Sequence, residues 1–109
     1  MSHYYSHRGL AAEIADLLFR LQGVKWAICK GVFEEELIIS VRSRSQKLAA
    51  SDLAQKIVKD LGTAGGHETM AGGHIRLNKR EPIQLSNQLT RKILENVKGD
   101  DSMVGYLLV

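Results

Sequence analysis

Apolar residues recur at two periods along this chain, and the change from one period to the other predicts the order of its elements. Leucine and isoleucine at helical spacing predict a helix over roughly residues 9–22, and Gly23 stands where that helix ends. The residues from Val24 to Val32 favour a β-strand, and Phe33 to Glu36 are predicted to form a turn. From Leu37 to Arg44 apolar and polar residues alternate, which is typical of a strand with one buried face.

The second half of the chain repeats this change of period around a glycine-rich segment. Ser51 is a suitable N-cap for a second helix, which Gly62 is predicted to end. A short strand is predicted from His74 to Leu77, a helix opened by Pro82, and a last strand from Met103 to Val109. The predicted order is α-β-β-α-β-α-β. A single small α/β domain follows, in which helices cover a mixed β-sheet.

Composition narrows the class of protein without fixing its function. The chain has 109 residues, 44% of them hydrophobic and 25% charged, as in an ordinary globular domain. The net charge of +3 suits a phosphate-bearing ligand without requiring a nucleic acid. The single cysteine, Cys29, excludes an internal disulfide framework and favours a reducing, cytoplasmic location. No apolar run approaches the ~20 residues of a membrane helix. We expect residues 1–9 to be a linker and residues 10–109 to form the domain.

The glycine-rich segment from Gly62 to Ile75 is the strongest candidate for a binding site, because it holds half of the ten glycines. Gly65 and Gly66 are expected to present backbone N–H groups to an oxyanion, with His67 as a further donor. A helical turn over residues 68–71 would add its free amides. The alternative is a loop whose glycines serve only tight backbone geometry.

The end of the alternating strand offers a second candidate site for phosphate. Alternation places Ser40, Arg42 and Arg44 on one face, and arginine binds phosphate in a bidentate manner. The alternative is a solvated strand end. His74 is expected to be a hydrogen-bonded strand residue rather than a ligand, and Trp26 a core residue.

Known motifs for phosphate and metal sites are absent from the sequence. The glycines are not followed by the Lys-Ser/Thr of a Walker loop, and they follow a helix rather than a strand, unlike a dinucleotide-binding loop. The aspartates show no spacing that would hold a catalytic metal. We therefore expect no catalytic or metal-binding residue in this chain.

Two segments resemble the DHH-associated domain, which is the C-terminal substrate-binding domain of DHH (Asp-His-His) phosphoesterases. Residues 65–72, Gly-Gly-His-Glu-Thr-Met-Ala-Gly, resemble its G-G-G-H-x-x-A-A-G signature. Residues 40–44, Ser-Val-Arg-Ser-Arg, are similar to its S-x-R-S strand motif. The resemblance extends over residues 10 to about 78. Ala64 replaces the first glycine of the signature, and Met70 replaces its first alanine.

The resemblance implies a function in binding rather than in catalysis by this chain. It implies contacts to the phosphate of a nucleotide or short oligonucleotide from Arg42, Ser43, Arg44, Gly65, Gly66 and His67. His67 would lie near the scissile group and contact the transition state. No cofactor is expected in this domain. An N-terminal DHH catalytic domain in cis would hold manganese, and the parent would be a metal-dependent phosphoesterase.

The substrate and the assembly stay open at this stage. RecJ-like and nanoRNase-like relatives suggest an oligoribonucleotide, phosphoadenosine phosphate, a cyclic dinucleotide or single-stranded DNA. A homodimer is a further expectation. The alternative function is a non-catalytic nucleic-acid-binding module akin to the C-terminal domain of alanyl-tRNA synthetase.

Overall fold

The structure, a computed structural model, describes residues 7–21, 23–97 and 103–108. In these ranges the elements are α1 (His7–Phe19), β1 (Trp26–Phe33), β2 (Glu36–Ser43), α2 (Ala50–Val58), β3 (Gly62–Gly66), β4 (Met70–Arg76), α3 (Pro82–Asn96) and β5 (Met103–Leu108). The predicted α/β class is confirmed. The order, α-β-β-α-β-β-α-β, has one strand more than predicted.

The five strands form one sheet in the order β3-β4-β2-β1-β5. Neighbouring strands from β3 to β1 are antiparallel, whereas β5 pairs with β1 in parallel. The sheet is therefore mixed, as predicted. Within the described residues β3 forms one edge of the sheet.

The two faces of the sheet are covered unequally. On one face α2 and α3 enclose the main core, which includes Trp26 and Leu37. On the other face α1 packs on β1, β2 and β5, with Ala11 and Ala15 against Cys29. Since α1 lies over this half of the sheet, most of the same face of β3 and β4 is exposed to solvent. We call this exposed area the open sheet face.

The glycine-rich segment is a β-hairpin, so the predicted loop and its helical turn over residues 68–71 are wrong. Thr63 pairs with His74 and Gly65 with Gly72, which makes β3 and β4 a regular antiparallel pair. Residues 67–69 connect the two strands. Backbone pairing, which does not depend on side chains, overrides the low strand propensity of glycine here.

The second helix begins one residue before the predicted N-cap. Its N-cap is Ala49, which makes no side-chain hydrogen bond. The connection between β3 and β4 caps the helix instead: Ala50 N donates to Glu68 O at 2.7 Å and Ser51 N donates to His67 O at 3.1 Å. Two helix amides that would lack partners are thereby satisfied. The hairpin is fixed to α2 by its own backbone.

The third helix begins as predicted, at Pro82. The Glu81 side chain accepts a hydrogen bond from Gln84 N at 2.7 Å, which caps its first turn. The buried Lys30 on β1 fastens the middle of α3 to the sheet, since its Nζ donates to Ser86 O at 2.9 Å and to Thr90 Oγ1 at 2.5 Å. Desolvation of the charged amine lowers the pKa of Lys30.

Cys29 is expected to resist thiol reagents in the folded protein. Its side chain is 0% exposed, and burial raises its pKa from 9.0 to about 11. A shift of this size lowers the thiolate fraction at pH 8 about 100-fold, and only the thiolate reacts. Labelling with a disulfide reagent should be slow in buffer and immediate in concentrated urea. Equal rates in the two solvents would contradict this burial.

Candidate phosphate-binding site on the open sheet face

The turn between β3 and β4 requires glycine at one position only. His67 N donates to Met70 O at 2.8 Å and closes the connection. Gly66 has φ +149°, and a Cβ there would lie 2.5 Å from Met70 O and from Ala71 Cα. A Cβ at Gly65 would meet no atom within 4 Å. Gly66 is therefore needed for the turn, whereas Gly65 is not.

The backbone of this connection is also bound to the end of β2. Ser43 N donates to Thr69 O at 3.0 Å. Together with the two bonds to α2, this contact occupies the main-chain oxygens of His67, Glu68 and Thr69. The connection is therefore bound to β2 on one side and to α2 on the other, through carbonyl oxygens that every residue type supplies.

The hairpin leaves backbone donors on the outer edge of β3. Because His67 pairs with Met70 through a hydrogen bond, alternation along an antiparallel ladder makes Gly65 and Gly72 the next bonded pair. The N–H groups of Ala64 and Gly66 then point away from β4, where the described residues supply no further strand. Gly66 N–H is thus available to an anion, whereas the amide of Gly65 is directed at β4.

A row of small residues crosses the open sheet face. Ser40 on β2, Gly72 on β4 and Gly65 on β3 are partners in register. They form the floor of a groove of about 340 Å³. Ser40 is only 5% exposed, yet its hydroxyl lines the groove without a hydrogen-bond partner among the described residues. No buried side-chain polar atom of the described residues lacks a partner, so the Ser40 hydroxyl is open to the groove and can donate a hydrogen bond to a ligand there.

The next row toward the hairpin turn brings in Arg42, on the same face as Ser40. Arg42 pairs with Met70 in register and is 6% exposed. Its Nε donates to Asp16 Oδ1 of α1 at 2.6 Å, and its Nη1 donates to Val41 O at 3.1 Å. A guanidinium has five N–H donors, so these bonds leave donors for a phosphate. The partner Asp16 could not be anticipated from the strand motif.

The structure does not bring two of the expected residues into the groove. Ser43 faces α2, where its Oγ donates to Leu48 O at 3.3 Å and accepts from Ser45 N at 3.0 Å. Arg44 lies beyond the end of β2. Its Nη1 donates to Val24 O at 2.7 Å, and its guanidinium stacks 3.7 Å above the ring of Phe19. Ser43 shapes the loop before α2, and Arg44 holds the end of α1.

His67 is exposed at the turn, close to the outward N–H of Gly66. Its Nδ1 lies 3.4 Å from Thr69 Oγ1. Among the residues that the structure describes, no group of three or more His, Cys, Asp and Glu side chains could hold a metal ion. Nor does a helix in these ranges have the length and apolar character needed to cross a membrane.

A second histidine lies on the open sheet face, in the row on the other side of the Ser40 row. Thr63 on β3 and His74 on β4 line the groove there and are hydrogen-bonded to each other. The carboxylate of Glu36 on β2 is hydrogen-bonded to the other ring nitrogen of His74. His74 is hydrogen-bonded, as expected, but it is also exposed. Sequence analysis missed Thr63 and Glu36, because only the register of three strands brings them together.

The motifs predicted a histidine beside the glycines, and the structure places that histidine at the turn of a hairpin in a small mixed sheet. The family model of the DHHA1 domain matches residues 2–96, and the chain belongs to this family. The match includes residues 2–9.

The fold is also similar to a solved structure, the C-Ala domain from Aquifex aeolicus alanyl-tRNA synthetase. The two chains superpose with a TM-score of 0.61 at 15% identity, over 82% of this chain and 83% of the other. At this identity the likeness concerns the fold alone. No curated protein matches the chain.

Proposed function

We propose that this chain is the nucleotide-binding domain of a DHH-type phosphoesterase and that the phosphate of the substrate lies over the row of Ser40, Gly72 and Gly65. The observation that carries the proposal is the hydroxyl of Ser40, which lines the groove and has no hydrogen-bond partner among the residues that the structure describes. Membership of the DHHA1 family supports the same reading.

Each group around this row has a defined part in binding. The Ser40 hydroxyl donates to one phosphate oxygen, and the outward N–H of Gly66 and the ring of His67 serve oxygens at the turn. Arg42 supplies positive charge and shares its donors between Asp16 and the phosphate. Hydrogen bonds to an ionised acceptor are about twice as strong as neutral ones. Gly65 and Gly72 contribute by lacking side chains, which lets the phosphate approach the sheet.

In this proposal Ser43 and Arg44 do not contact the phosphate. Ser43 fixes the loop that leads into α2, and Arg44 adds positive charge beside the groove while it holds α1 in place. The hydrolytic chemistry would come from an N-terminal DHH domain with manganese. This chain binds and orients the phosphate, and His67 stabilises the charge that develops on its oxygens.

The likeness to a domain of an alanyl-tRNA synthetase favours a second candidate, a non-catalytic nucleic-acid-binding module. The two candidates differ in the number of phosphates bound. A nucleotide site depends on one or two phosphates, whereas a nucleic-acid surface loses affinity steeply with salt because many counterions are released. The slope of log affinity against log salt, measured with an oligoribonucleotide, separates them.

Binding of AMP is expected to perturb the backbone amides of Ser40, Gly66 and His67 in an NMR titration, and adenosine is expected to leave them unchanged. Ser40→Ala should weaken AMP binding about tenfold, because it removes a hydrogen bond to a charged group. Ser45→Ala, which lies outside the groove, is the matched control. An absence of shifts at millimolar AMP, or equal shifts with adenosine, would refute the proposal.

A further inference from the structure

We infer that the chain formed by Thr63, His74 and Glu36 binds a ribose hydroxyl of the nucleotide and so distinguishes ribonucleotides from deoxyribonucleotides. This inference rests on the proposed function, because it needs the phosphate to lie on the neighbouring row. It assigns a role to three residues that the phosphate site does not use.

The three side chains form one continuous hydrogen-bonded array across β3, β4 and β2. Thr63 Oγ1 lies 3.0 Å from His74 Nε2, and His74 Nδ1 lies 2.8 Å from Glu36 Oε2. The His74 side chain is 51% exposed, and that of Glu36 is 19% exposed. The array is therefore ordered by its own contacts and accessible to a ligand.

The carboxylate determines which atoms of the array can accept a further hydrogen bond. A carboxylate only accepts, so His74 Nδ1 carries the proton of that bond. In the neutral ring Nε2 is then the acceptor, and it binds the hydroxyl hydrogen of Thr63. The lone pairs of Thr63 Oγ1 remain, and they suit a ligand group that donates, such as a sugar hydroxyl.

Charge fixes the direction of the nucleotide in the groove. The negative charge of Glu36, which is hydrogen-bonded to His74, disfavours a phosphate at the row of Thr63 and His74. Arg42 lies beyond the opposite side of the Ser40 row, and the N–H donors that its bond to Asp16 leaves free can bind a phosphate. A phosphate therefore lies toward Arg42, and the uncharged sugar lies toward Thr63 and His74.

The spacing of the rows agrees with this placement. Residues two apart on a strand lie on the same face about 6.7 Å apart. The row of Thr63 and His74 is two residues from the row of Gly65 and Gly72. This step is comparable to the distance from the 5′-phosphate to the ribose ring of the same nucleotide, so one ligand can contact both rows.

The test compares AMP with 2′-deoxy-AMP by calorimetry on the 109-residue chain and on two matched variants. Wild-type protein should bind AMP about fivefold more tightly, as one neutral hydrogen bond allows. Thr63→Val, which has the same shape but no hydroxyl, should bind both ligands with the affinity that the wild type has for 2′-deoxy-AMP. Thr63→Ser, which keeps the hydroxyl, should retain the preference.

A second pair of probes shows whether the sugar or the base is read. Ribose 5-phosphate and 2-deoxyribose 5-phosphate should show the same preference in the wild type, because neither carries a base. An NMR spectrum of each variant verifies that it is folded. Glu36→Gln, which alters the group that accepts from His74 Nδ1, should independently reduce the preference for ribose over deoxyribose.

The outcomes separate this inference from the function on which it rests. Equal binding of AMP and 2′-deoxy-AMP by the wild type, with shifts at Gly66 and His67, overturns the ribose contact and leaves phosphate binding intact. A preference that persists in Thr63→Val also overturns it. Failure of all four ligands to bind overturns both proposals.

Discussion

Replacing Gly66 with alanine is expected to lower the free energy of unfolding by about 3 kcal/mol, the range of strained backbone combined with a steric clash. The new Cβ would lie 2.5 Å from two backbone atoms of β4, at a φ of +149° that alanine rarely adopts. Neither Met70 O nor Ala71 Cα can move without breaking the hairpin. Urea denaturation followed by circular dichroism measures the change.

The neighbouring glycine supplies the matched control, with a different result for binding. Gly65→Ala should keep the stability within about 1 kcal/mol, because its Cβ meets open space. The same Cβ stands on the groove floor, so AMP binding should weaken. A stable but weakly binding Gly65→Ala beside an unstable Gly66→Ala would separate the two functions of the glycines. Equal stability of the two variants would show that the turn is not as described.

Replacing Lys30 with alanine is expected to lower the free energy of unfolding by about 2–4 kcal/mol, because a cavity opens between β1 and α3. Lys30→Met fills the same space and should change stability by about 1 kcal/mol or less. After this replacement Ser86 O still accepts a hydrogen bond, since Thr90 Oγ1 donates to it at 3.1 Å. Similar losses in both variants would show that the ammonium bonds, rather than packing, hold α3.

The pH dependence of the free energy of unfolding tests the burial of Lys30 independently, through its lowered pKa. Burial lowers the pKa of Lys30 below 10.5, so between its folded pKa and 10.5 the unfolded chain holds more protons. The free energy of unfolding therefore rises with pH in this window. Cys29, whose pKa is raised from 9.0 to about 11, has the opposite effect over pH 9–11. The difference between wild type and Lys30→Met should rise with pH and level off above 10.5, because the contribution of Cys29 largely cancels.

The elements with clear periodicity could be predicted from the sequence. The alternation in residues 37–44 located β2 to within a residue and placed Ser40 and Arg42 on one face. Pro82 marked the start of α3. These patterns are local, because they depend on the side chains of the element itself.

The strand β3 could not be predicted, because glycine carries no side-chain pattern. Three of its five residues are glycine, and its conformation comes from backbone pairing with β4. The start of α2 was misplaced for a related reason. Ser51 is the better N-cap by residue type, yet the oxygens that cap the helix come from His67 and Glu68, far along the chain.

The candidate site was predictable in its chemistry but not in its geometry. The motifs drew attention to Arg42, Gly66 and His67, which lie on or beside one groove. Ser43 belongs to the same motif as Arg42, but alternation turns it toward α2. The array that includes Thr63 and Glu36 depends on the register of three strands, and no local pattern encodes that register.

The bonds from the hairpin connection to α2 and β2 have a consequence for the chemical identity of residues 68 and 69. These are the two unspecified positions of the G-G-H-x-x-A pattern. The carbonyl oxygen of Glu68 accepts a hydrogen bond from α2, and that of Thr69 accepts one from β2. A peptide group offers the same oxygen whichever residue bears it. The scaffold beneath the binding groove can therefore stay constant while these two side chains are exchanged, which makes them positions where the approach to the groove can be altered without rebuilding the fold.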